Sequence, residues 1–312
     1  MKEVINLAGP TVEFVDSPIP EPNDDQVLIK VVVSGSNPKD WKIRKGVSQG
    51  DDIAGIIEKV GSNVVEFKRS DRVAAFHGRC PGGSYAEYAV AWSHTTFHLP
   101  AHTSFEGASR DYPTCCLDCC CFLICAPPLP TSMGACIEPI PFIVYGTSTA
   151  VGSFAIKMAC NGDVVIDHRE GVETMVQKIR RSLERGGHSN VQHALDAIII
   201  RQSADILRQL VAPGGKIDFL LPNDLDVFPA KNSITIVGSV HRHPEFENNE
   251  ELGFVFSRYF TRALSMGSLL GHPFQVRPRG LEGVEEALRD LKAGKASAVK
   301  YIFRIADTPG VA

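Results

Sequence analysis

E-P-I-P-F-I-V-Y-G-T-S-T-A-V-G-S-F-A-I-K-M-A-C, from Glu138 to Cys160, is the stretch on which the reading of this chain turns. Pro141 to Gly146 holds five apolar residues in six, the mark of a short buried strand. Val151, Phe154, Ile156 and Met158 follow at helical spacing. Between strand and helix, Gly146 and Gly152 bracket the hydroxyl-rich turn Thr147-Ser148-Thr149. Unpaired amides and the positive dipole end of a helix attract phosphate at such a place, so the turn is a candidate dinucleotide cradle. The G-x-G-x-x-G triplet with its middle glycine is absent. An ordinary strand-to-helix turn with a Ser/Thr cap therefore remains the competing reading.

A chain of 312 residues is long enough for two domains with a large core. Net charge −4, pI near 6.2 and 22% charged residues offer no basic face for nucleic acid, so a small-molecule partner is expected. Met1-Lys2-Glu3-Val4 begins no continuous apolar run, which predicts a cytoplasmic protein without a secretory leader. Six of the nine cysteines fall between Cys115 and Cys125. Adjacent cysteines are no disulfide framework, and the Cys116–Cys119 pair has no second pair or histidines at zinc spacing. Asp118 and the Pro127-Pro128 stop make the run too interrupted to span a membrane.

Read from the start, Val4–Val15 and Gln26–Val33 are predicted strands separated by the proline-rich loop Ser17–Pro22. Asn37-Pro38-Lys39-Asp40-Trp41-Lys42 predicts a turn. Asp51–Gly61, Phe67–Phe76 and Gly82–Val90 add short strands with glycine turns, together a small all-β module. Glu250–Leu264 reads as a helix whose Phe254, Phe256, Tyr259 and Phe260 serve core and dimer packing. His77, His94, His98 and His102 lack ligand spacing and are read as ordinary polar or loop histidines.

The order E-P-x-x-D-Q-V-L-I-K-V, N-P-K-D-W-K, D-I-A-G-I-I-E-K-V-G-S-N-V, D-R-V-A and G-S-Y-A-E-Y resembles the N-terminal domain of medium-chain dehydrogenases/reductases. Downstream, H-A-L-D-A (His193–Ala197), L-x-x-L-V-A-P-G-G-K-I (Leu207–Ile217), Ser233–Val240 and Gly280–Lys300 agree with that superfamily. The resemblance is strongest to its zinc-independent, quinone oxidoreductase-like branch and to fungal trans-acting enoyl reductases of the ToxD type. It implies an α/β chain: a GroES-like β-domain over 1–108, an atypical Cys-rich connection over 109–137, a Rossmann-type NADP-binding domain over 138–266, and a return to the first domain over 267–312. Zinc-dependent members carry a cysteine after the early strand and a later Gly-His-Glu. Here those regions read Ser34-Gly35-Ser36-Asn37 and Gly50-Asp51-Asp52-Ile53-Ala54-Gly55, so no metal is expected.

The resemblance further implies hydride transfer from NADPH to the β-carbon of an enone or an α,β-unsaturated thioester, the protein orienting the reactants and stabilising the enolate oxygen. By motif, Lys39, Asp40, Trp41 and Lys42 are cofactor-cleft residues. Gly146, Ser148, Thr149, Ala150 and Val151 line the pyrophosphate turn, and His168 stands near the 2′-phosphate. No general acid is evident, and water is the expected proton donor. A small-molecule or carrier-bound acyl substrate, a polyketide synthase partner, and a monomer or homodimer without nucleic acid or membrane belong to the same expectation. Two departures keep alternatives open. Asn161-Gly162 leads straight into Asp163–Asp167, which resembles a third strand, so one strand and helix of about 25 residues are missing. The cysteine run replaces an Ala/Leu/Thr-rich helix and reads as a frame shift that recovers by Glu138. An NADPH quinone oxidoreductase, or a cofactor-deficient relative acting as a synthase-binding partner, are the alternatives. A serine hydrolase with Ser148 at a nucleophile elbow is the third, disfavoured because Ala150 replaces the closing glycine.

Overall fold

The computed structural model describes residues 1–42, 50–77, 83–109, 140–158, 164–234, 240, 249–269 and 271–311. The Cys115–Cys125 run and the 109–137 connection, apart from Ser109, lie outside them. The chain divides into two compact units, Met1–Leu117 with Gly238–Ala312, and Asp118–Val237.

In the first unit β1 (Lys2–Asn6) and β2 (Val12–Asp16) form an antiparallel hairpin, so the single predicted strand Val4–Val15 is two strands broken at the Gly9-Pro10 turn. β3 (Gln26–Gly35) is the hub. Its β-branched run is buried almost throughout, as expected of a strand covered on both faces. Antiparallel to it lie β4 (Asp52–Val60), β6 (Tyr88–Trp92) and the late strand β13 (Lys300–Arg304). β5 (Arg72–Phe76) pairs with β4, β7 (Thr96–His98) with β5, and β12 (Phe274–Val276) runs parallel to β13. Ile29, Ile53, Ile57, Val73, Leu281, Leu288 and Phe303 share one core, which joins residues some 250 positions apart in sequence.

Among the described residues this unit also holds three α-helices: α1 (Phe105–Ser109), α5 (Glu250–Ser265) and α6 (Val284–Lys292). α5 buries Phe256 and Phe260, with Phe260 edge-on to Phe97 at 5.6 Å. Arg258 pairs with Glu66 and donates to the Thr96 carbonyl at 3.0 Å. These contacts group α5 with the first unit, although the sequence assigns it to the second domain; Phe254 stays partly exposed.

Among the described residues the second unit forms a four-stranded, all-parallel sheet in the order β11 (Lys231–Ile234), β10 (Val211–Phe219), β9 (Val191–Asp196), β8 (Phe142–Tyr145). α2 (Ala150–Met158) and α3 (Val172–Arg185) lie between β8 and β9, and α4 (Arg201–Leu207) between β9 and β10, the helix-linked parallel strands of a Rossmann-type α/β layer. Leu183, Val191, Ala194, Leu207, Ile217 and Phe219 form its core.

One expectation is corrected here. Val164–Asp167 forms no strand: Val164 and Val165 are 64% and 78% exposed, and only Ile166 packs inward, against the Met175, Val176, Ile206 and Leu210 cluster. Consecutive β-branched residues have strand propensity, but a strand exists only through a neighbour's ladder, and β8 is the last strand of the described sheet.

Candidate functional site

In the second unit the turn after β8 is built by its glycines and by Thr149. Gly146 has φ +87°, a conformation that L side chains rarely adopt, and a Cβ there would sit 2.6 Å from Ile198. Thr149 Oγ1 donates to the Gly146 carbonyl at 2.8 Å and accepts from Gly152 N at 3.0 Å. Thr149 N also donates to Gly146 O, at 2.9 Å. A Cβ on Gly152 would lie 2.3 Å from the Gly146 oxygen, so the first turn of α2 touches the strand end as closely as a backbone permits. The amides of Ser148 and Ala150 have no partner among the described residues. Gly146, Ser148, Thr149, Ala150 and Val151 are therefore brought together in one turn, and the hydroxyl that organises it is Thr149, while Ser148 is exposed.

A feature the sequence did not announce stands beside this turn. At the end of β9, fully buried Asp196 accepts from Ile198 N at 3.0 Å, from Ile199 N at 2.9 Å and from the Ser203 hydroxyl. The clamp forces Ile199 to φ +62°, a costly conformation for a β-branched residue, and sets Ile198 against Gly146. Ile199→Gly is expected to raise stability by about 1 kcal/mol, strain relief of ~1–3 kcal/mol less the ~0.5–1 kcal/mol entropy of an added glycine. Urea denaturation of both proteins checks it, and a lower midpoint for the variant contradicts the strain.

His168 lies in a single helical turn, His168–Glu170, with its side chain 73% exposed. Its neighbour Arg169 forks onto Asp167, with Nη2 at 2.6 Å and Nε at 2.9 and 3.0 Å. That hydrogen-bonded guanidinium holds the Asp167 carboxyl well below the usual carboxylate range.

In the first unit Asn37–Lys42 turns tightly after β3, with Asp40 N donating to Asn37 O at 3.0 Å. Asp40 is fully buried; its Oδ2 accepts from Asn37 N at 2.7 Å and from the Tyr85 hydroxyl at 2.7 Å, and its backbone oxygen from Asn6 Nδ2 at 3.0 Å. Lys39 pairs with Asp51 and stands 3.6 Å from Asp40 Oδ1. Alongside, Asn37 Nδ2 donates to Asp52 Oδ2 at 2.7 Å, and the buried Lys300 ammonium pairs with Asp52 and reaches Asn37 Oδ1 at 3.2 Å. Trp41 packs on the unit's core with the Lys42 and Lys292 ammoniums 5.5 and 5.6 Å from its ring centre.

Burial, opposed by the Lys39 ammonium, pushes Asp40 up to about 7. Burial likewise raises Asp51, again opposed by Lys39. Burial alone would lower Lys39, but Asp51 and Asp40 more than offset it and hold the ammonium above its ordinary value. Burial and then the facing Asp40 push the Tyr85 phenol well up.

Lys39, Asp40, Trp41 and Lys42 thus share one turn, but Asp40 belongs to a buried network with Asn37, Asp51, Asp52, Tyr85 and Lys300 that motif reading did not assemble. Two adjacent aspartates at the start of an apolar strand were the available signal. Among the described residues no group of three or more His, Cys, Asp or Glu could hold a metal ion. His77, His94, His98 and His102 each bring a ring nitrogen to a backbone carbonyl, at 2.6, 2.7, 3.1 and 3.3 Å.

Residues 23–101 match the alcohol dehydrogenase GroES-like domain. The chain is 37% identical to the trans-enoyl reductase fsr4 of Gibberella fujikuroi, over 91% of this chain and 92% of that one. It is 30% identical to a quinone oxidoreductase of Lama guanicoe, over 96% of each. Its fold is shared by mycobacterial Rv1454c complexed with NADPH, at a TM-score of 0.72, 20% identity and coverage of 97% and 99%. With a GroES-like module on β3 and a parallel Rossmann-type sheet carrying the Gly146 turn, the chain belongs to the medium-chain dehydrogenase/reductase superfamily, in its fungal trans-enoyl reductase branch.

Proposed function

We propose that this chain is an NADPH-dependent reductase of α,β-unsaturated carbonyl or thioester substrates, working in the cytoplasm on acyl groups carried by a polyketide synthase. The turn from Gly146 to Gly152 carries the reading. Two helix-start amides without partners among the described residues, a glycine at positive φ and a strand-to-helix contact with no room for a side chain are the features a dinucleotide's pyrophosphate requires. The resemblance to a trans-enoyl reductase and a neighbour that binds NADPH support the substrate class and the cofactor.

When bound, the nicotinamide supplies the hydride to the substrate's β-carbon. The chain's own residues position it: the Ser148 and Ala150 amides hold the pyrophosphate, Thr149 keeps the turn closed, and Gly146 and Val151 shape its walls. Of the turn in the GroES-like unit, Lys39, Trp41 and Lys42 have exposed surface to offer the cofactor while buried Asp40 holds the turn's shape, and His168 reads the 2′-phosphate with Arg169 beside it. Proton delivery to the enolate falls to water.

The test is a fluorescence titration of wild type and Gly152→Ala with NADPH. Alanine is the better helix former, so propensity alone favours the variant. The 2.3 Å contact with Gly146 O predicts instead that helix and strand end separate and that NADPH affinity falls at least about tenfold, ~1.4 kcal/mol. A wild type that binds no NADPH, or a variant that binds as well, removes the reading. Comparing NADPH with NADH decides the cofactor.

One observation favours a second reading. Among the described residues the sheet ends at β8, so the strand that grips the adenosine ribose in a full Rossmann half has no counterpart there. A cofactor-deficient relative that binds the synthase fits that feature. Turnover of a crotonyl-type thioester rejects it, and turnover of quinones alone makes the protein a quinone oxidoreductase.

A further inference from the structure

Two exposed ammoniums of the first unit meet at one indole with no counter-ion. Lys42 ends the Asn37–Lys42 turn and Lys292 ends α6, so the chain brings them together from far apart in sequence. Both lie over the half-buried ring of Trp41, 5.5 and 5.6 Å from its centre, so their separation cannot exceed those two distances together. Neither makes an ion pair or a hydrogen bond through its ammonium among the described residues. The carboxylates around them are held by other cations. On α6, Glu285 pairs with Arg289, Glu286 with Arg277, and Asp290 with Arg277 and Lys295. In the turn, Lys39 takes Asp51 and stands beside Asp40. Positive charge is thus left over at Trp41 in a chain whose net charge is −4. The dipole of α6 favours a cation in its last turn, which accounts for a lysine at 292 but not for two ammoniums sharing a ring. The ring attracts both without neutralising either.

We propose that Lys42, Lys292 and Trp41 receive the phosphate of the pantetheine arm that carries the acyl substrate. The inference rests on the reading above, in which the substrate is a carrier-bound thioester. Such an arm joins its carrier through a phosphodiester, an anion flanked by the apolar gem-dimethyl group of the pantoyl unit. The two ammoniums donate charge-assisted hydrogen bonds to the phosphate oxygens, and the indole face packs against the gem-dimethyl carbons. Both lysine stems are flexible and both heads are exposed, so one anion draws the two together as it neutralises them. Trp41 and Lys42 by themselves have surface for either partner of the reaction. Lys292, which no motif marks, supplies the second charge. A phosphate could also come from the nucleotide, so the two sources are separated by experiment.

Initial rates with NADPH are measured on the full chain for crotonyl-pantetheine, which lacks a phosphate, crotonyl-4′-phosphopantetheine and crotonyl-CoA. Wild type is expected to favour the phosphopantetheine thioester over the pantetheine one about tenfold in kcat/KM, as two exposed charge pairs of ~2–5-fold each provide. The further phosphates of CoA add little to that preference. In Lys292→Met it is expected to fall to about threefold, and in Lys292→Glu to vanish, because one ammonium is removed and then opposed. Both variants are expected to turn over crotonyl-pantetheine and to bind NADPH as wild type does, since Lys292 is exposed at a helix end. Added salt weakens the wild-type preference. Equal kcat/KM for the two arms in wild type, a preference that survives Lys292→Glu, a preference confined to CoA, or a matching loss of NADPH affinity in Lys292→Met overturns this inference and leaves the functional reading standing. No turnover of any of the three thioesters with NADPH overturns both.

Discussion

Lys300→Met is expected to lower the unfolding free energy by about 3–5 kcal/mol. Asp52 is fully buried, and its carboxylate is held by the Lys300 ammonium and by Asn37 Nδ2 at 2.7 Å. Methionine keeps the stem's volume but leaves a carboxylate in a medium that solvates it poorly, so the cost is desolvation rather than lost packing. The double variant Asp52→Leu/Lys300→Met removes both charges and is expected to be less destabilised than Lys300→Met, though Asn37 then loses an acceptor at a cost of ~1–3 kcal/mol. Urea denaturation of wild type, both single variants and the double variant closes the cycle. If Lys300→Met unfolds within about 1 kcal/mol of wild type, Asp52 does not depend on the Lys300 ammonium for its charge.

The stability of wild type relative to Asp40→Asn is expected to fall as pH rises from about 4 to about 7. In the folded protein Asp40 is pushed up to about 7, whereas in the unfolded chain it titrates near its ordinary value of 3.8. Between those values the folded state keeps a proton that the unfolded chain has released. The stabilisation is therefore fully present below about pH 4 and is lost as pH rises through 7. The slope is ~1.4 kcal/mol per pH unit, amounting to a few kcal/mol over the window. The asparagine variant has no proton to lose at this position, so its curve lacks this slope. Carboxylates held low, such as Asp290 beside Lys295 and Arg277, act in the opposite direction and cancel in the difference. Chemical denaturation of both proteins at four or five pH values reads the effect, and parallel curves would show that Asp40 ionises normally.

Both effects arise from residues that local patterns do not connect. Asp51 and Asp52 are neighbours in sequence, yet one faces Lys39 and the other Lys300, because successive side chains on an extended chain point to opposite sides. Lys300 comes from the far end of the chain, since β13 pairs with β3 at Gly35. Tyr85 reads as a strand aromatic in G-S-Y-A-E-Y, while its hydroxyl is what satisfies Asp40. Conversely, Val164–Asp167 has a strand's composition and no neighbour to pair with among the described residues, so propensity misled.

Elements with local causes were legible in the order of the residues: the β-branched hub Gln26–Gly35, the strand, hydroxyl turn and helix from Phe142 to Met158, and the motif order that marks the family. Periodicity, glycine and cap chemistry act over a few residues, so a linear reading captures them. Packing in three dimensions was needed to establish which charges meet in the core, that Ile199 is held at positive φ by Asp196, and where the parallel sheet of the described residues ends. Those outcomes depend on strand register and on desolvation at contacts up to 263 residues apart, and neither quantity exists until the chain has folded.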